Sequence, residues 1–247
     1  MPPATIVVPC FNEVARLDPL ALRGLARAAS ARVLLVDDGS RDGTDRLVRS
    51  AAHEHGDELA AMVLPRNVGK GEAVRRGMRE AIAGGASIVG YYDADLATPP
   101  EEMARLVEVL RGEPDLTAVL GSRVALLGHR IERSIGRHYA GRMFATLSSV
   151  VLGLPIYDSQ CGAKVFRAGA PLRTALAEPF GSRWAFDVEL LARLLRAGAP
   201  PGTLREVPLV EWRDVGGSKL GVGDAITAGI DMMRFARRQR QHRHDGR

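Results

Sequence analysis

The sequence predicts an α/β fold: a mostly parallel sheet flanked by helices, with a C-terminal helical elaboration. Three observations carry this. Short β-branched runs alternate with helix-like stretches through the first half of the chain, the pattern of βαβ units. The first, second and fourth of those runs end in acids or amides, as strands do where they open onto a site. Finally, 46% of the 247 residues are hydrophobic, enough to cover such a sheet on both faces.

In chain order, strands are predicted at residues 5–8, 33–36, 61–64, 87–91 and 116–120. Helices are predicted near 15–29, 42–55, 71–83 and 100–111. Thr98-Pro99-Pro100-Glu101 reads as a helix start, with a Thr capping candidate, prolines in the first turn and acids at the positive end of the dipole. The second half reads as a long helical segment (131–152), a strand (163–166), a helix (186–196) and a strand (204–210). A glycine-rich loop (216–223) and an amphipathic helix (224–240) follow. Neither linker nor repeat is evident, so residues 1–247 are expected to form one domain, divided at 123 and 223.

The net charge is +5, and six arginines with one aspartate from Arg234 onward account for it. A basic tail on a neutral body suits an acidic partner such as a membrane, or it is a solvated terminus. Motifs for reading nucleic acid are lacking, and no such partner is predicted. Cys10 and Cys161 form neither a CxxC pair nor a metal spacing. With no basic leader at Met1 and no apolar run of spanning length, a cytoplasmic setting and at most peripheral membrane contact are expected.

Asp93-Ala94-Asp95 follows the apolar run SIVGYY. Residues i and i+2 of an extended chain share a side, so the two carboxylates can converge on a hard cation, Mg²⁺ or Mn²⁺. Strand-end aspartates also cap helices, and the pair alone does not decide between the two. VPCFNE (8–13) and VDDGSRDGT (36–44) put further acids and amides on the same edge. Pro9 and Phe11 can frame a flat base, with Glu13 and Asp37 accepting from its edge or a ribose. Asp37-Asp38-Gly39-Ser40 is also ordinary turn chemistry. In RNVGKGEAVRRGM (66–78), Lys70 stands at a helix start, where it can meet an anion or simply follow a glycine turn.

Taken in order with Gly121-Ser122-Arg123, DSQCGAKVFR (158–167), WAFDVELL (184–191) and WRDVGGSKLG (212–221), these motifs resemble the inverting family-2 glycosyltransferases of the GT-A fold. Within that family the series is nearer to dolichyl-phosphate β-glucosyltransferases than to dolichyl-phosphate mannose synthases. The resemblance implies a nucleotide-sugar-binding half (1–123) and an acceptor half (124–223). It assigns Pro9, Phe11, Glu13 and Asp37 to the nucleoside, with Asp38, Lys70 and Ala94 also in the donor site. Asp93 and Asp95 would hold metal and diphosphate, Arg123 would face the phosphates, and Arg213 and Lys219 would close over the donor. Mannose synthases commonly carry glutamine where this chain has Ala97, which favours glucose.

The activity implied is metal-dependent transfer of a hexose, glucose from UDP-glucose, onto a polyprenyl phosphate. The enzyme would work at the inner face of the membrane. A phosphate acceptor is already anionic and needs cations rather than a base. Arg133, Arg137, Arg142 and Lys164 are the candidates, Arg133 and Arg137 sharing a helix face. A hydroxyl acceptor would need a base, for which Asp158 and Asp187 are the acids to consider. That acceptor, a GDP-mannose donor and a non-catalytic nucleotide-sugar sensor are the alternatives. Ile226, Ile230 and Met233 beside Arg234, Arg237 and Arg238 suit a helix lying on anionic lipid, or one packed on the domain. No oligomeric state is assigned.

Overall fold

A computed structural model describes residues 3–132, 135–182 and 185–215, with 135–140 as backbone only. The first half alternates as expected: β1 (Ala4–Cys10), α1 (Pro19–Ala28), β2 (Arg32–Asp37), α2 (Thr44–Glu54), β3 (Leu59–Val63), α3 (Lys70–Ala83), β4 (Ile88–Tyr92), α4 (Pro100–Gly112) and β5 (Ala118–Ser122). Then come β6 (Arg130–Glu132), α5 (Ile135–Leu152), β7 (Ala163–Arg167), α6 (Ala170–Ala175), α7 (Phe186–Arg196), β8 (Leu204–Pro208) and β9 (Glu211–Arg213).

Seven strands form one sheet in the order β3-β2-β1-β4-β7-β5-β8. Six run parallel, and β7 lies antiparallel between β4 and β5. Alternation along each strand feeds two cores. Ile6, Val8, Cys10 and Tyr92 belong to the layer beneath α1, α2 and α4. Val7, Val36, Tyr91 and Phe166 belong to the layer beneath α3, α6 and α7. From β1 the chain builds outward to β2 and β3, then returns on the other side at β4. Ligands of open α/β sheets bind beyond the carboxyl ends at such a reversal.

Several boundaries differ from expectation for local reasons. Helix α1 begins at Pro19 rather than near 15, because Asp18 caps it, accepting from Leu20 N at 2.9 Å and Ala21 N at 3.1 Å. Thr98 does not cap α4; Pro99 holds the cap position and the Thr98 carbonyl accepts from the Tyr92 hydroxyl. The segment predicted as helix from 131 opens with β6, which pairs in parallel with β9; the strand predicted over 204–210 is β8, ending at Pro208, and β9 lies beyond it. Helix α6 was not anticipated. The 216–223 loop and the 224–240 helix lie outside the described residues. No helix among the described residues is long and apolar enough to cross a membrane.

Candidate active site

The loops after β1 and β2 are laced together. Asn12, in the left-handed region at φ 52°, donates its N–H to Ser40 Oγ at 2.9 Å, and its Oδ1 accepts from Arg41 N at 3.0 Å. Glu13 N donates to Thr44 Oγ1 at 2.8 Å. This fixes the ends of β1 and β2 as one ledge carrying Pro9, Phe11 and Asp37. Asp37 is fully buried; its Oδ2 accepts from Ser40 N at 3.2 Å, and its Oδ1 has no hydrogen-bond partner among the described residues. A buried acceptor left unpaired is costly, so this oxygen suits a ligand N–H or hydroxyl.

Two residues expected on that ledge are engaged otherwise. Both Asp38 oxygens accept backbone N–H groups, from Val68 at 2.7 Å and Gly69 at 2.8 Å, so Asp38 anchors the turn into α3. Glu13 holds Arg16 in a bidentate pair at 2.7 and 2.6 Å. Arg16, not singled out in the sequence, thereby brings a positive charge to bear on Asp95.

Asp93 and Asp95 stand just beyond β4. Asp93 N donates to Gly162 O at 3.0 Å, and Leu96 takes the left-handed conformation at φ 55°. Asp95 Oδ1 accepts from Ala97 N at 3.1 Å, while Ala97 O accepts from Arg213 N at 2.9 Å. Strand β9 therefore braces the aspartate turn, and Arg213 itself pairs with Glu211 at 2.7 Å. Lys70 Nζ lies 2.6 Å from Asp93 Oδ1. Burial, and then the charge of Asp93, push the Asp95 carboxyl above its ordinary value. Asp93 acts on Asp95 by charge, and a pair of neighbouring carboxylates supplies the oxygen donors that Mg²⁺ or Mn²⁺ prefers. These residues fit a hard divalent cation. Among the described residues no cluster of three or more His, Cys, Asp or Glu joins them, so substrate oxygens and water would complete the shell.

Across the sheet, Arg123 holds Asp158 through Nε at 2.6 Å and Nη2 at 2.8 Å, and the Arg123 N–H adds a third bond at 3.1 Å. Its guanidinium lies 5.4 Å from the centroid of the Trp212 ring. Glu206 on β8 accepts from Tyr157 N and Asp158 N, each at 2.7 Å, fixing the loop that carries Asp158. Beside this pair is a cavity of about 30 Å³, bordered by Gly141 and Phe144 of α5 and by Gln160. Burial, and then the charge of Asp158, push the Cys161 thiol up to about 11, which keeps it protonated and inert.

The sequence profile of glycosyl transferase family 2 matches residues 5–170. The chain belongs to that family. It is 31% identical over 245 residues to a dolichyl-phosphate beta-glucosyltransferase of Trichomonas vaginalis, covering 94% of this chain and 70% of that protein. Against the dolichyl-phosphate beta-glucosyltransferase of Dictyostelium discoideum it is 30% identical over 242 residues, 92% of this chain and 71% of that one. Among solved structures it is similar to glucosyl-3-phosphoglycerate synthase from Mycobacterium tuberculosis in complex with Mn²⁺, UDP and glucosyl-3-phosphoglycerate. The TM-score is 0.65 at 19% identity, covering 95% of this chain and 80% of that one. The enzyme is a glycosyltransferase with the GT-A fold.

In this family-2 enzyme the acceptor candidates fare unequally. Lys164 does not stand open to a phosphate as expected. Its side chain is wholly buried, donating to Cys161 O and to Asp187 Oδ1 at 2.7 Å, with the Tyr91 ring 5.2 Å away. The reason is register: Lys164 pairs with Tyr91 across β7 and β4, on the face covered by α7. Arg142 is exposed and lies 4.5 Å from the Tyr157 ring centroid. Arg133, Lys219 and the side chain of Arg137 lie outside the described residues. Asp158, the candidate base, is instead the ion-pair partner of Arg123. Gly162 was overlooked in the sequence: a Cβ there would overlap the Asp93 carboxylate. Its only signal was a glycine opening a buried strand, which marks a close approach.

Proposed function

We propose that this enzyme moves glucose from UDP-glucose onto a polyprenyl phosphate, with inversion and with Mg²⁺ or Mn²⁺ held by Asp93 and Asp95. The observation that carries the acceptor class is the state of the two site acids. Asp158 is held by Arg123, and Asp187 by Lys164 and Tyr91. A hydroxyl nucleophile needs a free base. A phosphate monoester, with a second pKa of about 6, needs none. Two relatives that align over more than nine-tenths of this chain are dolichyl-phosphate glucosyltransferases, which supports the same reading. Ala97, where mannose synthases commonly have glutamine, favours glucose.

In this reading Asp37 Oδ1 accepts from the nucleoside, and Pro9 and Phe11 frame its base. A divalent cation bound at Asp93 and Asp95 would neutralise charge on the departing diphosphate. Lys70 adds positive charge beside it, and Arg213 and Lys219 supply further positive charge to the donor. Arg142, with Arg133 and Arg137, draws the lipid phosphate toward the sugar, so that positioning and charge supply the catalysis. The basic C-terminal segment would hold the enzyme at the inner face of the membrane.

A donor panel with Mn²⁺ and a short polyprenyl phosphate, reading released nucleotide and lipid product, tests the proposal. UDP-glucose is expected to give the highest turnover, and chelation or Asp95→Ala to abolish it. Transfer only to a water-soluble hydroxyl acceptor would overturn the lipid-phosphate reading. A preference for GDP-mannose would overturn the assignment of glucose.

A further inference from the structure

Lys70 is one of three lysines in the chain, with Lys164 and Lys219. Its backbone is fixed on both sides. Asp38 ties down the N–H groups of Val68 and Gly69, and Gly69 turns at φ 95°, so α3 starts at Lys70 in one geometry. One residue on, a Cβ at Gly71 would come within 2.7 Å of Phe186 side-chain carbons. That close approach sets the first turn of α3 against the first turn of α7, where Asp187 stands. The carboxylates whose charges act on Lys70 are Asp93, Asp187 and Asp95.

Asp93 is confined from two directions. Its carboxylate abuts Gly162, where no Cβ fits. Its Oδ1 carries Lys70 at 2.6 Å, and has no other partner among the described residues. A cation that ligates either oxygen of Asp93 therefore stands within a few ångströms of the ammonium.

We propose that Lys70 is the resident counter-ion of Asp93, and that it leaves that carboxylate for the donor's phosphate when a divalent cation and nucleotide bind together. The inference rests on the metal reading of Asp93 and Asp95 given above. Two cations within a few ångströms on one carboxylate repel strongly. The ammonium is tethered, so a free cation competes against a high effective concentration. A nucleoside diphosphate gives the ammonium another anion, and cation and nucleotide then favour each other's binding reciprocally. Asp187, whose Oδ1 takes the bonds from Tyr91 and Lys164, is a further carboxylate whose charge acts on the lysine.

The test is Mn²⁺ titration of the full chain at fixed pH, read by electron paramagnetic resonance, with and without UDP. The proteins compared are wild type, Lys70→Met and Arg16→Met, each checked for folding by circular dichroism. Arg16 controls for charge without contact, since it acts on Asp95 while bound to Glu13. Without UDP, Lys70→Met is expected to bind Mn²⁺ at least about tenfold more tightly than wild type, and Arg16→Met less than about threefold more tightly. With UDP the gap narrows. Lys70, identified by peptide mass spectrometry, is also expected to acetylate faster in wild type at saturating Mn²⁺. Unchanged Mn²⁺ affinity in Lys70→Met, an equal gain in Arg16→Met, or an unchanged acetylation rate overturns the inference and leaves the metal reading standing. Wild type that binds no Mn²⁺ even with UDP overturns the metal reading itself.

Discussion

The residue that bears most on Asp93 has no side chain. Gly162 leaves the space in which the Asp93 carboxylate sits, and its carbonyl accepts the Asp93 N–H. Gly162→Ala should therefore push the carboxylate away from Lys70 and the cation. A shift of roughly 1 Å at a reacting site lowers turnover by about 100-fold, with a stability loss of about 1–3 kcal/mol from overpacking. Steady-state kinetics beside a urea titration check both; turnover within a few fold of wild type would show that Asp93 has room elsewhere. The place of the aspartates at the end of β4 was legible in the sequence, because they follow an apolar run, although the pair alone did not decide between a cation and a helix cap. Gly162 and Lys164 were not. Their roles exist only once β7 is placed beside β4, and a lysine between Ala163 and Val165 gives no sign of which face it will occupy.

At the scale of elements, the turn into α3 is held by the Asp38 side chain. Asp38 accepts from two N–H groups that would otherwise lack partners, at 2.7 and 2.8 Å. Each buried N–H left unsatisfied costs about 1–3 kcal/mol, so Asp38→Ala should lose at least about 2 kcal/mol in urea unfolding. It should also raise KM for the donor, because Lys70 follows directly. A change in stability with KM untouched would separate Asp38 from the site. The alternation of strand and helix was legible here because each element is long enough to show its period. Strands β6 and β9, three residues each, show none, and form because the chain brings Ile131 against Trp212 from 81 positions away.

At the scale of the whole molecule, the reversal of strand order at β1 and β4 gathers Asp37, Asp93 and Asp95 on one edge, and stability is the cost. Burial, then the neighbouring Asp93, raise the Asp95 carboxyl from 3.8. The folded chain thus keeps this proton to higher pH than the unfolded chain. Its stability falls as pH rises from that ordinary value through the raised one, and the deficit is complete above both. Asp95→Asn removes the charge and keeps an oxygen for Ala97 N. In chelator it should melt higher than wild type at neutral pH, with the gain vanishing below the ordinary carboxylate range. Calorimetry across pH reads this, and an equal gain at every pH would assign it to something other than charge. The parallel sheet was legible from the βα repeats; the reversed direction of β7 was not, since one strand reads alike in either sense.

That reversed strand also bears on how the protein is made. β4 and β5 are finished by residue 122, yet they never bond to each other, and the strand that joins them spans Ala163–Arg167. A nascent chain emerging amino end first therefore carries two raw strand edges facing a gap in the middle of its sheet until β7 slots in. Exposed edges of that kind invite pairing with other chains. The step that completes the floor beneath Asp93 is thus the same step that closes both of those edges.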